Sequence, residues 1–349
     1  MEMKVKLEKL AWVKKITAKQ VAGMCLVMVA IYFLSGRNEA QVETNLVGSM
    51  GYSYQADDEI TEVHMVYVQH ESGYLVKTEI EALESSAVAS IFTGIQQASE
   101  RLPGHTEGLI PASARLRDYQ LDEDGLTLNL SESFLYYRLS QEENLLSSLV
   151  WSMTELEHVN RVYLQIEGEG VNNLNTEIDV SRGLTRGMGV NLEVGASRVT
   201  DSQMMMLYFL TDDTDHAMLV PVTRLVDPHV DPVAYAVSAL VRGPIGATYI
   251  SVFNHRATLL EQPKIEDGIL TLNFSSDLFY NQEQTQISSQ VIRQLVMTMT
   301  EFDEVYEVSV VIEGSSRVFD DAGNPLTVPV SRSHILGHDA KIDDATGAY

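Results

Sequence analysis

The sequence predicts an α+β protein with two similar two-layer domains, each built from two helices on a small mixed sheet, after one N-terminal transmembrane helix. An internal duplication predicts the paired domains, because residues 149–168 and 295–314 are identical at about half of their positions without a gap. Apolar periodicity predicts the mixed class, since alternating runs typical of strands are interleaved with stripes at helical spacing. An uninterrupted apolar run near the N-terminus predicts the transmembrane helix.

The duplication extends through most of the chain. Three further blocks recur in the same order: residues 65–68 with 206–209, 126–131 with 270–275, and 180–182 with 330–332. Each repeat spans about 130 residues, which is enough for a domain of its own and too long for a solenoid unit. The predicted domains are therefore residues 61–195 and 201–337.

The first half of each repeat is predicted to be a strand pair followed by a helix. The strands are residues 63–68 and 75–80 in the first repeat, and 204–210 and 218–225 in the second. The helices carry one apolar stripe each, formed by Val88, Ile91, Phe92 and Ile95 and by Val233, Val237, Leu240 and Val241. Spacings of three and four residues place each stripe on one helix face, so both helices are expected to pack on the sheet.

The second half of each repeat is predicted to hold a hairpin, a second helix and a last strand. The hairpin strands are residues 115–121 and 126–130, and 258–265 and 269–274. The second helices carry apolar stripes at Leu145, Leu146, Leu149, Val150 and Met153 and at Ile287, Val291, Ile292, Leu295, Val296 and Met299. Ser140 and Glu143 have the spacing of a capping box at the start of the first of these helices. The last strands alternate apolar residues at Val162, Leu164 and Ile166 and at Val308, Val310 and Ile312.

The N-terminal segment predicts a signal anchor. Residues 21–34 form an unbroken apolar run, which flanking residues extend toward the length of about 20 that a spanning helix needs. Six lysines precede the run and only Arg37 lies close behind it, so the positive-inside rule keeps the N-terminus in the cytoplasm. The expected order is a cytoplasmic segment at 1–20, a transmembrane segment at 21–36, a linker at 37–60, the extracytoplasmic body and a tail at 338–349.

Two other interpretations of the N-terminal segment stay open. A cleaved signal peptide fits the length of the run, but residues 38–40 offer only a poor small-residue cleavage site. A lipoprotein needs small residues directly before its cysteine, whereas Cys25 follows Met24 and the apolar run continues after it. An uncleaved, single-pass anchor in the cell membrane is therefore favoured.

Composition excludes several functional classes. The net charge is −25 although residues 1–35 are basic, so the body of the chain is strongly acidic. Nucleic-acid binding is not expected, because contacts with phosphate require Lys and Arg. Cys25 is the only cysteine, which excludes an intramolecular disulfide and a cysteine-based metal site.

The second repeat carries a distributed motif at Tyr208, 219–224 (LVPVTR), 239–244 (ALVRGP), 270–275 (LTLNFS), 295–302 (LVMTMTEF) and 308–314 (VSVVIEG). This pattern resembles the GerMN domain, the module of the GerM family of sporulation and spore-germination proteins. The first repeat matches in its second half, residues 125–168, and departs in its first half. Lys77-Thr78 stand there in place of Pro221-Val222, and Ala98-Ser99 in place of Gly243-Pro244.

The resemblance implies a membrane-anchored, extracytoplasmic protein with two such domains. Their fold is expected to be similar to the ring-building motif, an αββαβ-type module that stacks side by side in the transenvelope complexes of sporulating bacteria. The implied partners are other envelope or membrane proteins, including ring-forming ones. The family carries no known catalytic residues, so none is assigned.

Few other side chains have the spacing of a chemical site. His334 and His338 share a helical spacing but lie beyond the last strand, where solvated side chains are expected. Asp212, Asp213 and Asp215 lack the glycine and the distant glutamate of an EF-hand loop, so a turn is expected there. No metal, cofactor or catalytic residue is therefore assigned.

Two further groups of residues have both a structural and a functional interpretation. Glu155 and Glu301 recur after the second helices, beside Thr154 and Thr300. Paired carboxylates could do acid–base work, but these lie in different repeats, so the Thr and Glu are expected to finish each helix and orient the next strand. The methionines at 204–206 are expected to fill the core, although exposed methionine would suit adaptable binding.

The favoured function is non-catalytic binding or assembly outside the cytoplasmic membrane, with the two copies supplying two surfaces. The alternative is an envelope protein that binds peptidoglycan or another wall polymer. A hydrolase acting on the wall is least favoured, because the sequence shows no cleft of titratable residues.

Overall fold

The computed structural model describes residues 62–336, except residues 103, 214–216, 247, 282 and 284. The helices are α1 (Ala87–Gln96), α2 (Ala98–Arg101), α3 (Glu142–Met153), α4 (Pro232–Arg242) and α5 (Ser289–Met299). The strands are β1 (Val63–His70), β2 (Leu75–Glu81), β3 (Thr106–Glu107), β4 (Leu116–Asp122), β5 (Gly125–Leu130), β6 (Val162–Ile166), β7 (Glu169–Gly170), β8 (Glu193–Val194), β9 (Gln203–Leu210), β10 (Leu219–Val226), β11 (Lys264–Glu266), β12 (Ile269–Phe274), β13 (Glu307–Ile312) and β14 (Val330–Ser331).

The predicted membrane segment is not among these elements. The cytoplasmic segment 1–20, the transmembrane segment 21–36, the linker 37–60 and the tail 338–349 all lie outside the described residues. Among the residues that are described, no helix has both the length and the apolar character needed to cross a membrane. The anchor therefore stays a prediction.

Both repeats fold with the same order of main elements, although the first also contains α2, β3 and β7. Each begins with an antiparallel strand pair, β1–β2 or β9–β10, and continues with a helix that packs on that pair. A second antiparallel pair, β4–β5 or β11–β12, precedes the second helix. The chain then returns as β6 or β13, parallel to β5 or β12. The predicted α+β class with mixed sheets is confirmed.

The strand pairs that open the two repeats join into one sheet. Its order is β3-β1-β2-β10, and both β8 and β9 pair with β10. Strands β2 and β10 meet antiparallel at Lys77 and Leu219, which joins the first repeat to the second. The remaining strands form a separate four-stranded sheet in each repeat, β4-β5-β6-β7 and β11-β12-β13-β14.

The prediction of a single small sheet in each repeat is therefore wrong. Strand β10 is buried along its whole length, whereas β12 alternates buried and half-buried residues. A strand buried on both faces needs packing on two sides, so the opening pairs share a core while the alternating strands form sheets of their own. Buried residues of both repeats form one continuous hydrophobic core. The boundaries 61–195 and 201–337 stay a prediction about the duplicated sequence.

The second helix of each repeat covers the open edge of a strand in the shared sheet. In the first repeat, the N–H of Tyr67 in β1 donates to Ser152 Oγ at 2.8 Å, and Ser148 Oγ donates to the Tyr67 carbonyl. In the second repeat, the N–H of Tyr208 in β9 donates to Thr298 Oγ1 at 3.0 Å. These side chains satisfy backbone groups that would otherwise form a bare pairing edge.

Helix α3 confirms its predicted stripe but not its predicted start. All five stripe residues are fully buried. The capping box is wrong, because α3 begins at Glu142 after a 3-10 turn at Leu139–Gln141, and no side chain caps its start. Glu142 is buried instead and accepts hydrogen bonds from Tyr137 Oη and Thr176 Oγ1, each at 2.6 Å. This carboxylate fixes the loop after β7 to the helix.

A short segment at the end of the first predicted domain runs along β10 and ties the repeats together. Asn191 Oδ1 accepts from the Leu75 N–H at 2.8 Å, and its Nδ2 donates to the carbonyls of Leu75 and Pro221 at 2.7 Å each. Leu75 lies in β2 and Pro221 in β10, so one side chain bridges the two halves of the sheet. Asn191 has φ +45°, a left-handed conformation that asparagine tolerates better than most residues. Two residues later, Glu193 forms a buried ion pair with Arg224 of β10 at 2.5 Å.

Candidate functional site

The recurring glutamate of the first repeat lies in a cluster of polar side chains. Glu155 Oε1 accepts from Tyr67 Oη at 2.9 Å and from Arg186 Nη2 at 2.6 Å. Its other oxygen accepts from Lys77 Nζ at 3.0 Å. Tyr67 comes from β1, Lys77 from β2 and Arg186 from a 3-10 turn after β7, so the glutamate gathers three separate parts of the repeat. Tyr67, Glu155 and Arg186 are called the first cluster below.

The second repeat rebuilds this arrangement. Glu301 Oε1 accepts from Tyr208 Oη at 2.9 Å and from Arg332 Nη2 at 2.6 Å. These distances equal those of the first cluster. Tyr208, Glu301 and Arg332 are called the second cluster, and they show that the duplication extends to a specific polar contact and not only to the apolar pattern.

The structure corrects the alignment of the repeats at this point. The recurring block pairs residues 180–182 with 330–332, which places Arg182 opposite Arg332. In the structure Arg186 takes that place, because it contacts Glu155 as Arg332 contacts Glu301. In both repeats, moreover, the residue two positions before the arginine pairs with the start of the last strand. The identical triplet is therefore a coincidence of sequence.

The clusters also close the C-terminal ends of the second helices. The hydroxyls of Thr154 and Thr300 donate to the carbonyl four residues back, at 2.8 Å in both repeats. They accept from the Nε of Arg186 at 2.7 Å and of Arg332 at 3.0 Å. A cation beside the last carbonyls of a helix stabilises them. The prediction that Thr and Glu finish the helix is confirmed. The prediction did not include the arginine, which contacts both of these side chains.

Burial fixes the protonation states in the clusters. Burial raises the pKa of Tyr67, and the neighbouring Tyr208 and Glu155 raise it further. Burial likewise raises the pKa of Tyr208. For Glu155, burial alone would raise the pKa, but two neighbouring cations outweigh it and hold the pKa below its ordinary value of 4.5. At neutral pH both tyrosines therefore donate as phenols, and Glu155 accepts as a carboxylate.

Lys77 distinguishes the first cluster from the second. Its side chain is only 1% exposed, and it lies opposite Leu219 at the seam of the shared sheet. Burial lowers the pKa of Lys77, while Glu155 supplies the opposing charge that keeps the ammonium stable. The matching position of the second repeat is Pro221. Loss of Glu155 would therefore leave an unpaired buried cation, a cost that the second cluster does not face.

A cleft of about 430 Å³ borders both clusters. It is lined by Trp151, Arg186, Gln203, Met204, Met205, Met206, Thr223, Pro232, Glu301 and Phe302. The guanidinium carbon of Arg186 lies 4.7 Å from the centre of the Trp151 ring, a cation–π contact. Because its lining comes from both repeats, the cleft depends on the way in which they are joined.

The three methionines in this cleft have different environments. Met205 is buried in the core, Met206 is partly buried against it, and Met204 is 51% exposed. The prediction that all three fill the core is therefore wrong for Met204. Alternation along β9 explains the difference, since successive side chains of a strand point to opposite faces. An exposed, unbranched side chain can adapt to ligands of varied shape.

The other candidate groups do not form a metal site in the part of the chain that the structure describes. Within that part, no three His, Cys, Asp or Glu side chains are placed to hold one ion. His334 Nδ1 accepts from the Ser331 N–H at 3.2 Å. Asp212 follows β9 in the connection to β10. His338 and Asp215 lie outside the described residues.

The comparison with known families decides the relationship of the chain. The sequence model of the Germane family, described as "Sporulation and spore germination", matches residues 31–172 and 206–318. The chain belongs to the Germane family.

Two relatives support this Germane assignment over most of the chain. The spore germination protein GerM of Bacillus subtilis (strain 168) is 29% identical over 283 residues, which cover 78% of this chain and 77% of that protein. The solved structure of the tandem GerMN domains of the sporulation protein GerM from Bacillus subtilis matches with a TM-score of 0.70 and 28% identity. That match covers 78% of this chain and 98% of the other. The resemblance to tandem GerMN domains is confirmed.

The segments matched by the Germane model leave out the residues that complete the site. Arg186, Asn191 and Glu193 lie between the two segments, and Arg332 lies beyond the second. Sequence reasoning missed all four. One signal could have found the arginines, because each stands 31 residues after its glutamate. Asn191 and Glu193 have no counterpart in a repeat alignment, since they follow the part of the first repeat that recurs in the second.

Proposed function

We propose that this Germane protein is a non-catalytic, membrane-anchored binding or assembly protein that works outside the cytoplasmic membrane, in sporulation, germination or the assembly of an envelope complex. Similarity to a spore germination protein supports the process. The apolar run at 21–34, with its preceding lysines, supports the anchor and the orientation.

The main support for this proposal is that the recurring glutamates are held in hydrogen bonds and ion pairs within the protein. Glu155 accepts from three side chains and Glu301 from two, all from their own repeats. A general acid or base must exchange a proton with its substrate, whereas these carboxylates are fixed in ion pairs that close helix ends. The polar contacts common to both repeats thus stabilise the fold. We therefore assign the function to the surface of the protein and not to these carboxylates.

The shared sheet adds a reason to favour assembly. Asn191 and the meeting of β2 with β10 hold the two repeats in one hydrogen-bonded body. Two surfaces held at a fixed spacing can engage two sites of a partner at once, and the second contact then forms at high effective concentration. A membrane tether would further confine the encounter to one plane.

Complementation tests the proposed role. In a Bacillus subtilis strain that lacks its GerM, this chain is expected to restore sporulation or germination. The variant Lys77→Met/Glu155→Gln removes the first carboxylate together with its buried cation, so it is expected to restore function equally well. If this variant folds normally by circular dichroism but restores nothing, Glu155 has a chemical role and the proposal is wrong.

Protease treatment of intact protoplasts tests the orientation. Externally added protease is expected to remove the body of the chain while residues 1–20 survive, because the lysines hold the N-terminus inside. Full protection of the body in intact protoplasts, with digestion after lysis, would contradict an extracytoplasmic location.

A second candidate function is the binding of peptidoglycan or another wall polymer. The cleft favours it, because Gln203 and Glu301 place hydrogen-bonding groups beside apolar side chains. Sedimentation with purified cell wall, with and without a chelator, measures this binding. Retention that is lost in a Gln203→Leu variant would favour the wall polymer, and no retention would exclude it.

A further inference from the structure

Strand β4 ends the outer sheet of the first repeat and leaves one edge open. Among the described residues it pairs with β5 alone. After a bulge at Arg117, residues Asp118 to Asp122 form a regular edge whose side chains are all exposed. An open strand edge is a template for a further strand unless proline, bulges or covering elements block it.

The hydrogen-bond pattern shows which residues of β4 face outward. The N–H of Leu126 donates to Arg161 O at 2.9 Å, on the β6 side of β5. The backbone groups of the alternate residues Thr127 and Asn129 of β5 therefore point toward β4. Their partners Gln120 and Asp118 direct their own N–H and C=O groups toward β5. Tyr119 and Leu121 consequently present their N–H and C=O groups on the open edge.

The same two residues expose apolar surface at this edge. Tyr119 lies opposite Leu128 and Leu121 opposite Leu126, so their side chains share the face of two fully buried leucines. Tyr119 is nevertheless 42% exposed and Leu121 is 50% exposed. An added strand would continue the apolar face of the sheet and cover both side chains.

The second repeat closes the corresponding edge. The sequence predicts a strand at 258–265, but β11 contains only Lys264–Glu266. Pro263 stands where the first repeat has Tyr119, given that Asp122 pairs with Gly125 as Glu266 pairs with Ile269. Proline has no N–H to donate, so it blocks the addition of a strand. The open edge is thus a property of the first repeat.

Charge selects the occupant of this edge. Asp118 and Asp122 lie on the opposite face of β4 from Tyr119 and Leu121, since side chains alternate along a strand. A second copy is disfavoured, because the register that pairs Tyr119 with Leu121 would set Asp118 against Asp122. The chain also carries a net charge of −25, which repels another copy. Arg117 does not cancel the two aspartates, because it pairs with Glu167 at 2.9 Å.

We infer that β4 is a docking edge for an extended segment of a partner protein in which apolar residues alternate with Lys or Arg. The partner's backbone pairs with Tyr119 and Leu121, its apolar side chains cover theirs, and its basic side chains face Asp118 and Asp122. This inference rests on the proposed binding function and names the chemistry of one partner.

Peptide binding to the full-length chain in detergent micelles tests the inference. Two capped seven-residue peptides serve as probes, one alternating valine with lysine and the other valine with glutamate. Fluorescence anisotropy at low salt is expected to show binding of the lysine peptide at least about tenfold tighter, because only its charges complement the aspartates. Hydrogen exchange is expected to show new protection of the Tyr119 and Leu121 amides.

Variants locate the binding. Tyr119→Pro places a proline where the second repeat has Pro263. The variant keeps the pairing of β4 with β5, because the N–H of Tyr119 points away from β5. Binding of the lysine peptide is expected to fall about tenfold or more. Asp118→Asn/Asp122→Asn is expected to weaken it about fivefold, the combined effect of two exposed ion pairs. Tyr136→Ala removes an aromatic outside β4 that is even more exposed than Tyr119, and it is expected to change nothing.

Equal binding of the two peptides, or binding of the lysine peptide that Tyr119→Pro does not weaken, would overturn the inference. A dimer of the chain that Tyr119→Pro abolishes would also overturn it, in favour of a second copy as occupant. If neither peptide binds while the chain still complements the Bacillus subtilis strain, the assignment of β4 fails and the proposed function stands.

Discussion

Lys77 places a positive charge inside the protein, at the seam where β2 meets β10. Removing a charge from water is costly, and the cost is offset only by a well-placed counter-charge. Glu155 supplies that charge at 3.0 Å, and it is itself held by Tyr67 and Arg186. In the second cluster the cation is an arginine whose side chain is 27% exposed, so solvent shares its stabilisation.

Substitution of the two glutamates should therefore have unequal effects. Glu155→Ala is expected to lower the free energy of unfolding by about 3–5 kcal/mol, because it leaves Lys77 buried without a partner. Glu301→Ala is expected to cost about 1–3 kcal/mol, since it removes hydrogen bonds from a partly solvated arginine. Urea denaturation measures both. Lys77→Met/Glu155→Ala should recover much of the loss, and equal costs for the two single variants would contradict the role given to Lys77.

The first cluster also predicts a dependence on acid. The native pKa of Glu155 lies below its ordinary value of 4.5, so the unfolded chain binds this proton more tightly than the folded one. The stabilisation is fully present above the ordinary pKa and is lost as the pH falls through the lowered native pKa. Urea midpoints between pH 7 and pH 3 should decrease less in Lys77→Met/Glu155→Gln than in the unchanged chain. An identical decrease would show that Glu155 contributes nothing to the acid sensitivity.

The sequence predicted one part of the clusters and missed another. Glu155 and Glu301 were visible because they stand in the best-matched block of the repeat. Their arginines follow a connection of different composition in each copy, where an identical triplet led the alignment to Arg182. Identity of residues carries less information here than spacing, because both arginines stand 31 residues after their glutamates whereas the identical triplet breaks that spacing.

At the scale of elements, helices α3 and α5 act as covers for strand edges. Each packs its apolar stripe on the sheet and also places a hydroxyl beside the edge of β1 or β9. In α5 the amide of Gln294 adds a bond to the Tyr208 carbonyl at 3.2 Å. The shared sheet is therefore protected at Tyr67 and Tyr208, in contrast to β4.

Removal of these hydroxyls should loosen the strand edges. Ser152→Ala and Thr298→Val each leave a buried N–H without its acceptor, which is expected to cost about 1–3 kcal/mol. Hydrogen exchange should show faster exchange of the Tyr67 amide in the first variant and of the Tyr208 amide in the second. Ser181→Ala, at an exposed turn, is the control. Unchanged exchange at both tyrosines would mean that the helices do not cover these edges.

Prediction of the helices and strands succeeded where the sequence pattern is local and failed where contacts with other parts of the chain decide the structure. The apolar stripe of α1 is buried as predicted, because spacing alone defines a helix face. The strand predicted at 258–265 shrinks to β11, because the pairing with β12 changes register between Leu259 and Lys264. The capping box failed because Glu142 turns inward to the loop after β7, a contact that no local pattern reports.

At the scale of the whole molecule, the shared sheet joins the two duplicated repeats into one structural unit. Periodicity reports that a strand is buried, not which strand lies beside it. The pairing of Lys77 with Leu219 joins residues far apart in the chain, and Asn191 bridges the same seam from a segment outside the repeat pattern. The sequence therefore predicted two similar domains but not the sheet that joins them.

Asn191→Gly should weaken this union selectively. Glycine keeps the positive φ of the backbone but removes three hydrogen bonds across the seam, with an expected cost of about 2–4 kcal/mol. Asn175→Gly, which removes a side-chain hydrogen bond within the first repeat alone, is the control. Thermal unfolding of Asn191→Gly should broaden as the repeats begin to unfold separately. A sharp transition at the unchanged temperature would show that Asn191 does not join the repeats.

Equilibrium unfolding of the Trp12→Phe chain tests the union most directly. Trp151, in the second helix of the first repeat, is then the only tryptophan and reports on its local environment, while far-ultraviolet circular dichroism reports on both repeats. A single body held together by one shared sheet and one continuous core should unfold in urea with coincident midpoints for the two signals. Separate midpoints, with Trp151 changing while a substantial part of the ellipticity remains, would show that the repeats are independent modules and that their shared sheet does not hold.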